Sequence, residues 1–111
     1  MPLFMALIKF SAASTKALVE KPHDRSTAAR AALEAAGCTL KEYYFALGPA
    51  DVVVTYEAPD AITAASVSMI LGASGASSSV ETVQLFTMEE AMTAMTKAGE
   101  IQKTYKPPTA A

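Results

Sequence analysis

The sequence is poor in the residues that most often announce chemistry. It holds one cysteine, Cys38, and one histidine, His23. A lone cysteine excludes a disulfide within the chain and fits a reducing compartment. One histidine cannot build a His-rich metal centre, and neither HxxxH nor CxxC spacing occurs. No metal and no cofactor are therefore expected. Charged residues make up only 18%, the formal net charge is -2, and no basic cluster is present. That removes the electrostatic footprint of nucleic-acid or anionic-membrane binding. No apolar run reaches the length of a membrane span. The opening "MPLFMALIKF" lacks the basic region of a leader and reads better as a strand. The expectation is a cytoplasmic protein.

What the chain does have is apolar surface. Apolar residues account for 51% of 111 positions, enough for one domain with one core. Alanine supplies much of that count. Even so, a small domain has much surface to cover, and the shortage of charge predicts that part of it is buried by self-association.

Hydrophobic periodicity divides the chain into elements. Leu3–Phe10 reads as a strand that is apolar on both parities. "STKALVEK" suits a short helix capped by Ser14 and ended by Pro22. "DRSTAARAALEAAG" predicts a helix capped by Asp24 or Ser26, with Leu33 in its buried stripe and Gly37 as its stop. Strands at residues 39–47 and 51–57 follow, joined by a tight "GPA" hairpin. Asp60 caps a helix in which Ile62, Ala65 and Met69 recur at helical spacing. Residues 72–79 read as a loop and residues 80–86 as a fourth strand. "LGASGASSS" lacks the lysine and spacing of a phosphate-binding loop. "TMEE" predicts a capping box opening a helix with Met88, Ala91, Met92 and Met95 on one face and Gly99 as its stop. The domain is expected over residues 1–99, with a tail at 100–111 whose last residues are mobile.

The order β-α-β-β-α-β plus a terminal helix predicts an α+β, ferredoxin-like fold. Right-handed crossovers would put both main helices on one face of a four-stranded antiparallel sheet. The other face should then alternate with polar residues, yet "DVVVTYE" and the first strand are apolar on both parities. A second subunit, offering its sheet or its last helix, is expected to cover that face.

The chain resembles the GYD-domain family. The likeness rests on "GPAD" and "EAPD", an opening "MP" strand, "LEAAGCTLKEYYFALG" and "VETVQLFTMEEA", and runs from Met1 to about Lys97. Gly48 and Asp51 match the family's Gly-x-Tyr-Asp pattern, while Ala50 stands where the pattern has Tyr. The resemblance implies a ferredoxin-like domain that assembles as a dimeric α+β barrel. It implies no particular chemistry, and any ligand role of the missing tyrosine hydroxyl is absent here.

Candidate site residues follow from residue type. Gly48 and Asp51 suit a turn that sets hairpin register, or place a carboxylate at a barrel mouth. Which tyrosines share a face depends on register. Pairing Leu47 with Asp51 would group Glu42, Tyr44, Val54 and Tyr56. Pairing Leu47 with Val52 would group Tyr43, Phe45, Val54 and Tyr56. If that face points away from the helices, phenol hydroxyls would stand among apolar walls, a setting for a small, mostly apolar ligand. Packing at a dimer interface would use the same residues. His23 reads as an exposed loop residue, or as a base titrating near neutrality. Haem, which related barrels hold through an axial histidine, would have only His23. Cys38 reads as a buried packer and the methionines as core or subunit contacts. Two functions are compatible with these residues. One is a homo-oligomeric barrel module that binds a small apolar ligand or scaffolds an assembly. The other is a cofactor-independent enzyme for proton transfer or oxidation of an enolisable or phenolic substrate, with Asp51, His23 or Glu42 as base near Tyr44 or Tyr56.

Overall fold

A computed structural model describes residues 1–109. The elements run β1 (Leu3–Phe10), α1 (Ala12–Glu20), α2 (Ser26–Ala35), β2 (Thr39–Phe45), β3 (Val52–Glu57), α3 (Ala61–Ala73), β4 (Ser77–Leu85) and α4 (Met88–Gln102). The strands form one antiparallel sheet in the order β2-β3-β1-β4. This is the ferredoxin-like α+β arrangement expected, with α1 and α4 added to it.

Local chemistry sets the helix ends. The Ser11 hydroxyl accepts the Ser14 N–H at 3.2 Å, so α1 starts one turn before the expected Ser14 cap. Asp24 accepts the N–H and hydroxyl of Ser26 at 2.8 and 2.6 Å, tying down the first turn of α2 from one residue before the formal cap, Arg25. Asp60 accepts the Thr63 N–H at 2.7 Å to open α3. At the end of α2, Gly37 takes φ +79°. Its N–H donates to the Glu34 carbonyl, and that of Cys38 donates to the Leu33 carbonyl. This is a Schellman cap, and buried Leu33 and Cys38 supply the apolar contact that accompanies it.

The core lies between the sheet and α2–α3. Phe4, Ala6 and Ile8 of β1 meet Val52, Val54 and Tyr56 of β3, with Leu33 and Ala64 above them. The other parity, Leu3, Met5 and Leu7 with Val53, Thr55 and Glu57, is only half-buried and faces away from these helices. β1 is apolar on both parities because one feeds the core and the other builds an open face, while the outer parity of β3 carries Val53 beside the polar Thr55 and Glu57.

Four expectations are corrected. The hairpin pairs Phe45 with Val52 and Tyr43 with Val54, and the Ala46 N–H donates to the Asp51 carbonyl at 2.8 Å. Leu47 therefore lies in the loop and pairs with neither Asp51 nor Val52. β4 begins at Ser77, inside the expected loop, because β1 offers it partners as far as Phe10. The stripe Ile62, Ala65 and Met69 faces out, and α3 buries Ala64 with Val67 and Leu71 packed against the core. The helix is apolar all round, so periodicity alone did not choose its buried side. Gly99 lies within α4, which runs on to Gln102.

α4 stands off the body. Its capping box forms as expected between Thr87 and Glu90, yet Met88, Met92 and Met95 are all exposed. The radius of gyration is 18.0 Å, against about 13 Å for a compact chain of this length. Among the described residues no helix is long and apolar enough to cross a membrane. The mobile end expected at Ala110 and Ala111 lies outside the described residues.

Candidate functional site

The space between α2, α3 and the sheet is incompletely filled. α2 lines this space with Ala28, Ala29 and Ala32, of which Ala28 and Ala32 stay exposed at its open side, and only Leu33 of this helix reaches deep into the core. Alanine side chains are too short to span a helix–sheet gap, so a cleft of about 230 Å³ remains, walled also by Ile8, Val54, Val67 and Leu71. Tyr56 lines it. This residue is 1% exposed and stacks on Phe4, with ring centroids 5.8 Å apart at 25°. Its hydroxyl is buried without a hydrogen-bond partner among the described residues. Burial, then the nearby Cys38 thiol, push the phenol up from its ordinary value, so it stays a neutral donor. A buried hydroxyl with nothing to bond costs about 1–3 kcal/mol.

Phe10, Arg25 and Tyr43 border this cleft and also an adjoining depression of about 420 Å³, which reaches His23, Asp24 and Phe45. The two hollows therefore adjoin at these three residues. His23 Nδ1 lies 3.0 Å from the Lys21 carbonyl oxygen, which can only accept. The imidazole proton therefore sits on Nδ1, and neutral His23 offers Nε2 as an acceptor. Tyr43 is half-buried, and its phenol is pushed up chiefly by burial, with Arg25 pulling the other way.

The open face of the sheet carries a second set of candidates. The Tyr44 hydroxyl donates to Glu42 Oε2 at 2.9 Å, and Thr55 reaches Glu42 Oε1 at 3.5 Å. This bond to Glu42 raises the Tyr44 phenol and holds its proton on oxygen. A broad hollow of about 920 Å³ beside them runs from Leu3 to Leu85, Phe86 and Glu90 at the root of α4. Gly48 lies at the far end of the same face, in the hairpin turn, at φ +148°. Asp51 points elsewhere. It accepts the Phe10 N–H at 2.9 Å and the Lys9 ammonium at 3.2 Å. Its bonds hold β1 and β3 in register.

The fold thus divides the expected residues between two places. Tyr43, Val54 and Tyr56 fall on the helix side, the grouping of the second register considered, with His23 beside them. Glu42 and Tyr44 fall on the open side. Tyr44 and Tyr56 never share a wall. Arg25 and Phe10 at the cleft mouth were not singled out from the sequence. The signal that could have found the cleft is the alanine-rich "STAARAALEAA", a helix too thin to fill the space above a strand pair.

Among curated proteins and solved structures no match was found. The model of the GYD domain family matches residues 4–95, which covers every element from β1 to the first half of α4. The chain belongs to the GYD domain family.

Proposed function

We propose that this chain is a homo-oligomeric binding module whose α2–α3 cleft takes a small, mostly apolar ligand carrying a hydrogen-bond acceptor. One observation carries the ligand reading: the Tyr56 hydroxyl is buried, neutral and unpartnered in the core beside an apolar cleft. An acceptor that displaced the cleft wall enough to reach the hydroxyl would remove that penalty, and apolar walls would supply the rest of the affinity. Self-association is supported by the open face, where Leu3, Met5, Leu7 and Val53 lie half-buried with no layer over them among the described residues, and by the exposed methionines of α4. Two such faces packed together would make the barrel of a dimer. The lone buried Cys38 thiol suits a reducing compartment, which favours the cytoplasm.

A second reading has one observation in its favour. Glu42 is a carboxylate bonded to a phenol beside a large hollow. A cofactor-independent enzyme could use Glu42 as base there, although the Tyr44 proton is held in place. Native mass spectrometry of gently purified protein tests both halves of the main proposal. It should report an oligomer with a defined extra mass per subunit. A bare monomer would contradict it.

A further inference from the structure

The α2–α3 cleft carries few polar groups. Its lining holds Arg25, Tyr43, Tyr56, Ser74 and Ser77 among apolar side chains, and Arg25 is the single charged residue in that wall. The hydroxyls can donate or accept, the guanidinium can only donate, and among the described residues no carboxylate lines the cleft itself, although Asp24 stands in the adjoining hollow. Ser74 already donates to the Leu71 carbonyl at 2.8 Å. Tyr56 has no partner. Among the described residues Arg25 forms no ion pair. Its acidic neighbour Asp24 is engaged with the Ser26 N–H and hydroxyl instead. The selective group is therefore Arg25, whose planar guanidinium matches a carboxylate in two parallel bonds, against the opposing charge of Asp24 in the adjoining hollow.

We infer that the cleft receives an apolar carboxylic acid, its carboxylate at Arg25 at the mouth and its hydrocarbon body between α2 and α3. This rests on the reading of the cleft as a ligand site and narrows it to a chemical class. A cationic ligand would meet like charge.

The test is ligand-observed NMR on the full chain, with octanoate, cinnamate and naphthoate each compared with its primary amide. The acids should bind about tenfold more tightly than the amides. Arg25→Gln, a substitution at an exposed side chain, should erase that preference. Equal binding of acid and amide to the wild type would overturn the inference while leaving the cleft as a site. So would an acid preference that survives Arg25→Gln. Failure of every probe to bind would overturn the cleft reading and the inference together.

Discussion

The Asp51 carboxylate accepts the Phe10 backbone N–H at 2.9 Å across 41 positions of sequence. Phe10 lies where the β1–β4 register shifts, and Asp51 precedes the first residue of β3. The bond satisfies an N–H at the end of one central strand from the start of the other. Asp51→Ala should therefore lower the thermal midpoint by on the order of 5 °C. Asp51→Asn, which keeps an acceptor, should lower it less. Differential scanning calorimetry of the two variants checks the ranking.

The same bond bears on pH. Asp51 is held below its ordinary value of 3.8 first by the Phe10 N–H, with Lys9 adding to it. Asp60 is held low by the Thr63 N–H and Glu57 by the Lys41 ammonium at 2.8 Å. Each of these groups binds a proton more readily unfolded than folded. Their contribution is thus complete above the ordinary carboxyl values of 3.8 and 4.5 and is lost as the pH falls through the depressed ones. The thermal midpoint should fall on acidification below that range, and the fall should be shallower in Asp51→Asn.

Gly37 is the cap whose conformation matters most. At φ +79° an alanine would be strained even though its Cβ would meet nothing closer than Pro59 Cγ at 3.9 Å. Gly37→Ala should cost about 1–2 kcal/mol of unfolding free energy. Urea denaturation should show the loss as a lower midpoint with an unchanged slope.

Much of this architecture was legible in the sequence. The capping motifs at Asp60 and Thr87, the Gly37 stop and the apolar strand runs placed the elements in their order, because these signals are local. Register was less legible, since the four-residue loop after Ala46 depends on where Asp51 finds its partner, Phe10, far away in sequence. The outward faces of α3 and α4 were not legible at all. Ile62, Met69 and Met92 carry the same periodicity whether a sheet or a second subunit covers them. The cleft escaped notice for a related reason: a cavity is made by what the alanines of α2 fail to fill.

The open face makes its own prediction. Met5 sits mid-sheet on that face, paired with Thr55 on one side and Val83 on the other. Met5→Glu would put a charge into any interface built there, and sedimentation analysis should show a shift toward monomer. Val19→Glu, at an exposed position of α1, should leave the assembly unchanged. A wild-type monomer at micromolar concentration would sink the barrel proposal outright.

Tyr56→Phe tests the central claim most directly, because it removes the orphan hydroxyl and keeps the ring that stacks on Phe4. The measurement is the unfolding free energy of the ligand-free variant against the wild type. The variant should be at least as stable, by about 1 kcal/mol in its favour, since a buried and unbonded oxygen has gone. A loss of that size would mean the hydroxyl is already bonded within the fold, and that nothing in the cleft waits for a ligand.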